Sequence, residues 1–232
     1  MDTLTKDHPK CLIDFCGKTL LERQLDALRR AGIRETALVT GYLSECLRGR
    51  GSKEFENPLW SQSNMVSSLL CADPWLREDT CVVSYSDIVY TSETVSQLIA
   101  SPGSIVITYD LKWQALWQAR FTDPLKDAET FVTDPKGRLI EIGRRATKIT
   151  DIKGQYMGLL KFNPSGWALV KKLLGHTPET EVRAMDMTSL LGRLIAAGEV
   201  VDTVPIEDPW CEIDSLSDLE LCRRLPSLER LR

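Results

Sequence analysis

Short apolar runs alternate with amphipathic helical stretches through most of this chain, and that alternation leaves few folds open to it. Leucines at positions 21, 25 and 28 repeat at helical spacing within Leu20 to Arg30, and Ala31-Gly32 supplies a stop. Glu35 to Thr40 then reads as a buried strand, followed at once by Gly41. The rhythm returns as a helix over Ser63 to Ala72, a strand over Asp79 to Ser84, a helix over Glu93 to Ala100 and a strand over Gly103 to Tyr109. Strands separated by helices predict an α/β fold with a mostly parallel sheet flanked by helices. A length of 232 residues, 43% of them hydrophobic, suits a single domain over residues 1–232.

The texture changes between Trp113 and Glu141, where aromatic and acidic residues gather. Alternation in Ala128 to Thr133 runs into Asp134-Pro-Lys-Gly137, a hairpin turn. A small antiparallel insertion is expected over about residues 111–157. Beyond it the pattern predicts a strand at Gly158 to Phe162 and helices at Gly166 to Leu174 and at Met187 to Ala197. An edge-like strand at Val200 to Pro205 and a terminal helix from Leu216, capped by Ser215 or Ser217, complete the chain.

Several functions are disfavoured. A net charge of -4 lacks the concentrated positive surface that nucleic acid requires. Seven cysteines at irregular spacing, without a CxxC, fit a reducing, cytoplasmic setting better than a disulfide framework. His8 and His176 are the only histidines, so a cysteine–histidine zinc site is not expected. No stretch of 18 apolar residues and no signal peptide is visible, and neither GxGxxG nor GxxxxGK[ST] occurs.

Four groups of residues could carry chemistry. Asp87 ends a short apolar strand, and the C-terminal edges of strands face the ligand crevice in open α/β sheets. Glu212 and Asp214, two apart, share a face if extended, with Ile213 pointing to the core. Converging acids of this kind can hold Mg²⁺ beside phosphates, while solvent-facing edge acids are the plainer reading. Lys10 stands between Pro9 and the apolar Cys11-Leu-Ile13, which would anchor it as a point charge for phosphate. Ser63 and Asn64 sit ahead of a helix, where they could cap it or meet a ligand. Trp113, Trp117, Arg120 and Phe121 could line a pocket for a cationic or amine-bearing acceptor, or pack the insertion onto the sheet.

Taken in order, Leu4 to Leu12, Gly17 to Gln24, Asn64-Met65 with Ser67-Ser68, Ser84 to Ile88, Gly154 to Gly158, Asp186-Met-Thr188 and Trp210 to Asp214 resemble the sugar-nucleotidyltransferase-like (MobA-like NTP transferase) superfamily. The branch they most resemble is the phosphocholine and aminoethylphosphonate type of cytidylyltransferase. The resemblance implies a Rossmann-like fold of the nucleotide-diphospho-sugar transferase type. It also implies transfer of CMP from CTP, or of another NMP from its NTP, to a small phosphorylated or phosphonylated acceptor. Lys10 would be the catalytic, phosphate-binding lysine, and Asp87 and Asp214 would ligate Mg²⁺ with Glu212 in support. Asn64, Ser67 and Tyr85 would contact nucleotide; Trp113, Trp117, Arg120, Gln155 and Tyr156 would face the acceptor.

No nucleic acid or membrane partner is implied, and a homodimer is left open. A sugar-1-phosphate nucleotidylyltransferase and a non-catalytic binding member are the competing readings. One departure stands out: the family opens with a buried strand and a glycine-rich loop, and Met1 falls where that loop should be ending. The resemblance therefore leads to the expectation of an unfilled interior sheet position and weak CTP binding by this chain.

Overall fold

The computed structural model describes residues 5–232; Met1 to Leu4 lie outside them. A single 3-10 turn, Lys10–Leu12, precedes a tight hairpin of β1 (Asp14–Phe15) and β2 (Lys18–Thr19). Helix α1 (Leu20–Arg30) opens on a capping box, in which Thr19 accepts from the Glu22 backbone while the Glu22 carboxylate accepts from that of Thr19. It buries Leu20, Leu21, Gln24 and Ala27. Strands β3 (Ala37–Thr40) and β4 (Lys53–Glu56) pair in parallel as a separate two-stranded sheet.

The next helices are α2 (Met65–Cys71) and α3 (Asp73–Leu76), followed by β5 (Cys81–Ser84), β6 (Ile88–Tyr90), α4 (Ser92–Ala100) and β7 (Ile105–Asp110). Helix α5 (Trp113–Arg120) then leads into the hairpin of β8 (Glu129–Thr133) and β9 (Leu139–Arg145). Strand β10 (Gln155–Phe162) returns to the main sheet, before α6 (Pro164–Gly175), α7 (Glu179–Ala184) and α8 (Met187–Ala196). The chain closes with β11 (Asp202–Ile206), β12 (Trp210–Glu212) and α9 (Leu216–Arg224).

The main sheet has the order β11-β7-β10-β5. Strand β11 is parallel to β7, and β10 is antiparallel to both β7 and β5. Three strands therefore share one direction and β10 reverses it, giving a mixed sheet in the expected α/β fold. The reversal follows from the insertion, because the chain leaves the sheet at Asp110 of β7 and re-enters beside it at Gln155 of β10. All six residues of β7 are buried, as a central strand covered on both faces requires. One core cluster packs Ile107, Leu160, Phe162, Trp167 and Leu190 on one side, and a second joins Val95, Leu98, Val106, Trp117, Leu159 and Trp210 on the other.

Most of the elements read from the sequence are present within a few residues of their expected bounds. The hairpin turn forms at Asp134 to Gly137, where Asp134 Oδ1 accepts from the backbone of Lys136 and Arg138 and Gly137 adopts a φ of 76°. Ser215, not Ser217, caps α9, in a capping box with Asp218. The expected antiparallel insertion also contains α5, whose Trp113, Leu116 and Trp117 form one buried helical face. Among the described residues β5 has β10 as its only ladder partner, and β3 has β4 as its only one. Phe55 of β4 and Val83 of β5 nonetheless pack against the same cluster as Val66 and Leu69 of α2.

Candidate active site

Asp87 sits in the turn between β5 and β6, just beyond a strand end. Its backbone carbonyl accepts from the Ile213 N–H at 2.9 Å, and Ile88 pairs with Glu212 across the antiparallel β6–β12 ladder. Those contacts bring Glu212 and Asp214 beside Asp87. Ile213 between them is fully buried, so the two acids share the opposite face. One oxygen from each of Asp87, Glu212 and Asp214 lies within 4.8 Å of the others.

Lys10 projects into the same group. Its Nζ donates to Asp87 Oδ2 at 2.6 Å and to Asp214 Oδ1 at 2.5 Å, joining residues 77 and 204 positions away in the chain. The anchor is local: Pro9, Cys11 and Ile13 are buried around it, and the Ile13 N–H donates to the Lys10 carbonyl. Burial works against the Lys10 charge, but the two carboxylates outweigh it and raise its pKa above the ordinary lysine value. Asp214 is held below the usual range: burial would raise it, and Lys10 and Arg120 prevail.

This set suits a hard divalent cation. All its donors are carboxylate oxygens, and Asp87 Oδ1 is buried with no hydrogen-bond partner among the described residues. A buried carboxylate oxygen without a donor is costly, and a cation would satisfy it.

Glu212 carries a pH consequence. Burial, then the neighbouring Asp214 and Asp87, raise its carboxyl from 4.5 to about 7 despite Arg120. The folded protein therefore binds a proton that the unfolded chain releases earlier, so this group's contribution to stability is complete below about 4.5 and lost as pH rises through about 7. In metal-free protein the stability of the wild type should fall across that window more steeply than that of Glu212→Gln, by at most about 1.4 kcal/mol per pH unit. Thermal melts at stepped pH read the difference; parallel curves for the two proteins would contradict it.

Arg120 stands behind these acids. Its Nη1 reaches Glu212 Oε2 at 3.0 Å, its Nη2 Asp214 Oδ2 at 3.1 Å and its Nε Asp218 Oδ1 at 3.0 Å. The rings of Trp117 and Phe121 lie 5.3 and 5.1 Å from the guanidinium carbon.

A cavity of about 280 Å³ opens beside the cluster, at the small end for ligand sites. Trp117, Gln155 and Tyr156 line it, and so does Tyr85, whose ring meets that of Tyr156 edge-on at 5.9 Å. Gly158 makes this packing possible: it has a φ of 75°, and a Cβ there would come 2.7 Å from the Tyr85 ring. Trp113 and Arg120 are not among the lining residues; Trp113 is buried against Trp117. Asn64 caps α2 and donates from Nδ2 to the Ala184 carbonyl, and Ser67 Oγ donates to the Val182 carbonyl, so both tie α2 to α7.

The cavity also contains acids to which the sequence assigned no site role. Asp127, Glu129 and Asp186 join Glu212 and Asp214 in its wall, with no lysine or arginine among the lining residues. Asp127 accepts from the Trp117 indole and Asp186 caps α8. Burial first, and Asp186 second, raise the Glu129 carboxyl. Asp186 alone left a trace in the sequence, at a helix start and within the Asp186-Met-Thr188 motif of the resemblance.

Residues 4–140 match the MobA-like NTP transferase domain. The chain is 35% identical over 236 residues to CTP:phosphoglutamine cytidylyltransferase of Campylobacter jejuni, covering 94% of this chain and 92% of that one. Its fold superposes on the inositol-1-phosphate CTP transferase from T. maritima with a TM-score of 0.75, at 17% identity, covering 95% of this chain and 89% of the other. The CTP:phosphocholine cytidylyltransferase from Streptococcus pneumoniae gives 0.71, also at 17% identity, with 95% and 90% covered.

Proposed function

The chain belongs to the MobA-like NTP transferase domain family, and from that premise we propose that it transfers CMP from CTP to a small phosphorylated or phosphonylated acceptor. The observation that carries this reading is the Asp87–Glu212–Asp214 group with Lys10 in its midst, opening onto a small cavity. An oxygen of the acceptor's phosphate or phosphonate forms a bond to the α-phosphorus of CTP. The bond from that phosphorus to the bridging oxygen breaks, and pyrophosphate leaves with the electron pair. The attacking oxygen is already anionic, so no general base is required. Lys10 offers a mobile positive charge to the phosphate oxygens. Mg²⁺ held by Asp87 and Asp214, with Glu212 beside them, would neutralise charge on the triphosphate.

The cavity favours one kind of acceptor. Asp127, Glu129 and Asp186 make no ion pair with a lysine or arginine among the described residues. A purely anionic acceptor would be repelled there, whereas one that couples its phosphate to a positive nitrogen would be drawn in. Phosphoglutamine and phosphocholine, named for two of the relatives, have that character, whereas the inositol 1-phosphate named for a third does not.

The test is pyrophosphate release across the four NTPs with amine-bearing phosphates and phosphonates and with sugar 1-phosphates. CTP with an amine-bearing acceptor should be the productive pair. Glu129→Gln should raise the KM for that acceptor by about tenfold and leave the KM for CTP in place. Preference for a sugar 1-phosphate with another NTP would favour sugar nucleotidylyl transfer, and no turnover with any pair would favour a binding role. The seven cysteines are free, which supports a reducing, cytoplasmic setting. Among the described residues no helix is long and apolar enough to cross a membrane.

A further inference from the structure

We propose that Arg120 and Asp218 are positioning residues that hold the Glu212 and Asp214 carboxylates in the spacing a divalent cation needs. The proposal rests on the reading of Asp87, Glu212 and Asp214 as that cation's site. Arg120 is the most enclosed charge in the region, with its side chain 2% exposed. Each of its three guanidinium nitrogens meets a different carboxylate, on β12, on the loop after it and on α9. A planar fork can satisfy three such directions at once; an ammonium cannot hold the same three geometries.

The oxygens are divided between two tasks. Arg120 takes Oε2 of Glu212 and Oδ2 of Asp214, which leaves Glu212 Oε1 and the Asp214 Oδ1 that Lys10 now holds. The Asp214 side chain is 47% exposed, so burial alone does not fix its rotamer. Asp218 completes the strut from behind. Its Oδ1 receives Arg120, while its Oδ2 accepts from the backbone N–H groups of Asp214 and Ser215 and from the Ser215 hydroxyl. The same carboxylate therefore sets both the backbone of Asp214 and the arginine that aims its side chain.

Charge supports the same assignment. When all four are ionised, Asp87, Glu212, Asp214 and Asp218 face Lys10 and Arg120 with two negative charges unmatched, the charge of one divalent ion. Arg120 lessens the repulsion among the acids without entering the space between their free oxygens. The flanking Trp117 and Phe121 rings keep water from the guanidinium, which strengthens these contacts.

The test is direct Mn²⁺ binding by electron paramagnetic resonance, without nucleotide, on the wild type, Arg120→Lys, Arg120→Ala and Asp218→Asn, with a thermal melt of each. Arg120→Lys and Asp218→Asn should bind Mn²⁺ about tenfold or more weakly. Their turnover should fall at fixed Mg²⁺ and recover at least in part as Mg²⁺ is raised, with the KM for acceptor little changed. Unaltered Mn²⁺ affinity in both variants would overturn the proposal, and a raised acceptor KM alongside it would make Arg120 an acceptor contact instead. If Arg120→Ala does not fold, the lysine variant, which keeps the buried charge, decides with Asp218→Asn. A wild type that fails to bind Mn²⁺ would refute the cation-site reading itself, an outcome distinct from failure of the strut.

Discussion

Replacing Asp87 with Asn should lower pyrophosphate release by about a thousandfold or more while leaving the fold intact. The fold survives because Asp87 is held in place through its backbone, whose carbonyl receives the Ile213 N–H. The side chain does other work. Its Oδ2 pairs with Lys10, and its Oδ1 is buried without a donor among the described residues, an oxygen a cation would satisfy. An amide keeps the shape but loses the charge, and its NH₂ group turns a donor toward either Lys10 or the metal. A loss of this size corresponds to roughly 4 kcal/mol of transition-state stabilisation, within what a lost metal ligand can remove. The checks are initial rates at saturating CTP and acceptor over a range of Mg²⁺, with a melt for fold integrity. A variant that retains more than a tenth of wild-type turnover would remove Asp87 from the cation site.

Lys10→Met separates two quantities that Asp87→Asn lowers together. Lys10 occupies the acidic group as a resident cation, at 2.6 and 2.5 Å from two of the oxygens a metal would use. Removing it leaves the carboxylates more negative, so Mn²⁺ binding by the nucleotide-free protein should tighten severalfold. Turnover should fall by about a hundredfold, because the charge offered to the phosphate oxygens is gone. The metal-free variant should also melt lower, since Asp87 and Asp214 lose a shared partner. That cost is about 1 kcal/mol, as the pair is partly exposed. Calorimetric titration with Mn²⁺ and steady-state rates test both halves. Weaker Mn²⁺ binding in Lys10→Met would show that the lysine organises the acids rather than competing for them.

The elements that position these residues were legible because each depends on short-range patterns. Leucines at 21, 25 and 28 gave α1, the apolar run before Tyr85-Ser-Asp87 gave β5, and Asp134-Pro-Lys-Gly137 gave the hairpin turn. The shared face of Glu212 and Asp214 followed from their spacing and from Ile213, which lies in the core. Helix α5 was harder, because its aromatic residues suit a strand as readily as a helix and only packing decided between them.

Arg120 shows where such reading ends. Its residue type and its place beside Trp117 suggested a ligand contact, yet its partners lie 92, 94 and 98 positions away. Nothing local to position 120 encodes three carboxylates. Glu129 and Asp186 are similar cases, distant in sequence and brought to one cavity wall by the insertion and by α8.

By itself, then, the sequence determined the α/β alternation, the insertion, and the acids and lysine fit for phosphate and metal chemistry. Spacing and side-chain chemistry act within a few residues, so a single chain displays them directly. The tertiary structure alone decided which acids are neutralised and which are left to face a ligand. It placed Lys10 between Asp87 and Asp214, turned Arg120 behind the oxygens of the candidate cation site and left Asp127, Glu129 and Asp186 without a lysine or arginine partner among the described residues. Charge compensation depends on distance through a low-dielectric interior, and those distances exist only once the β6–β12 ladder and the mixed sheet have formed.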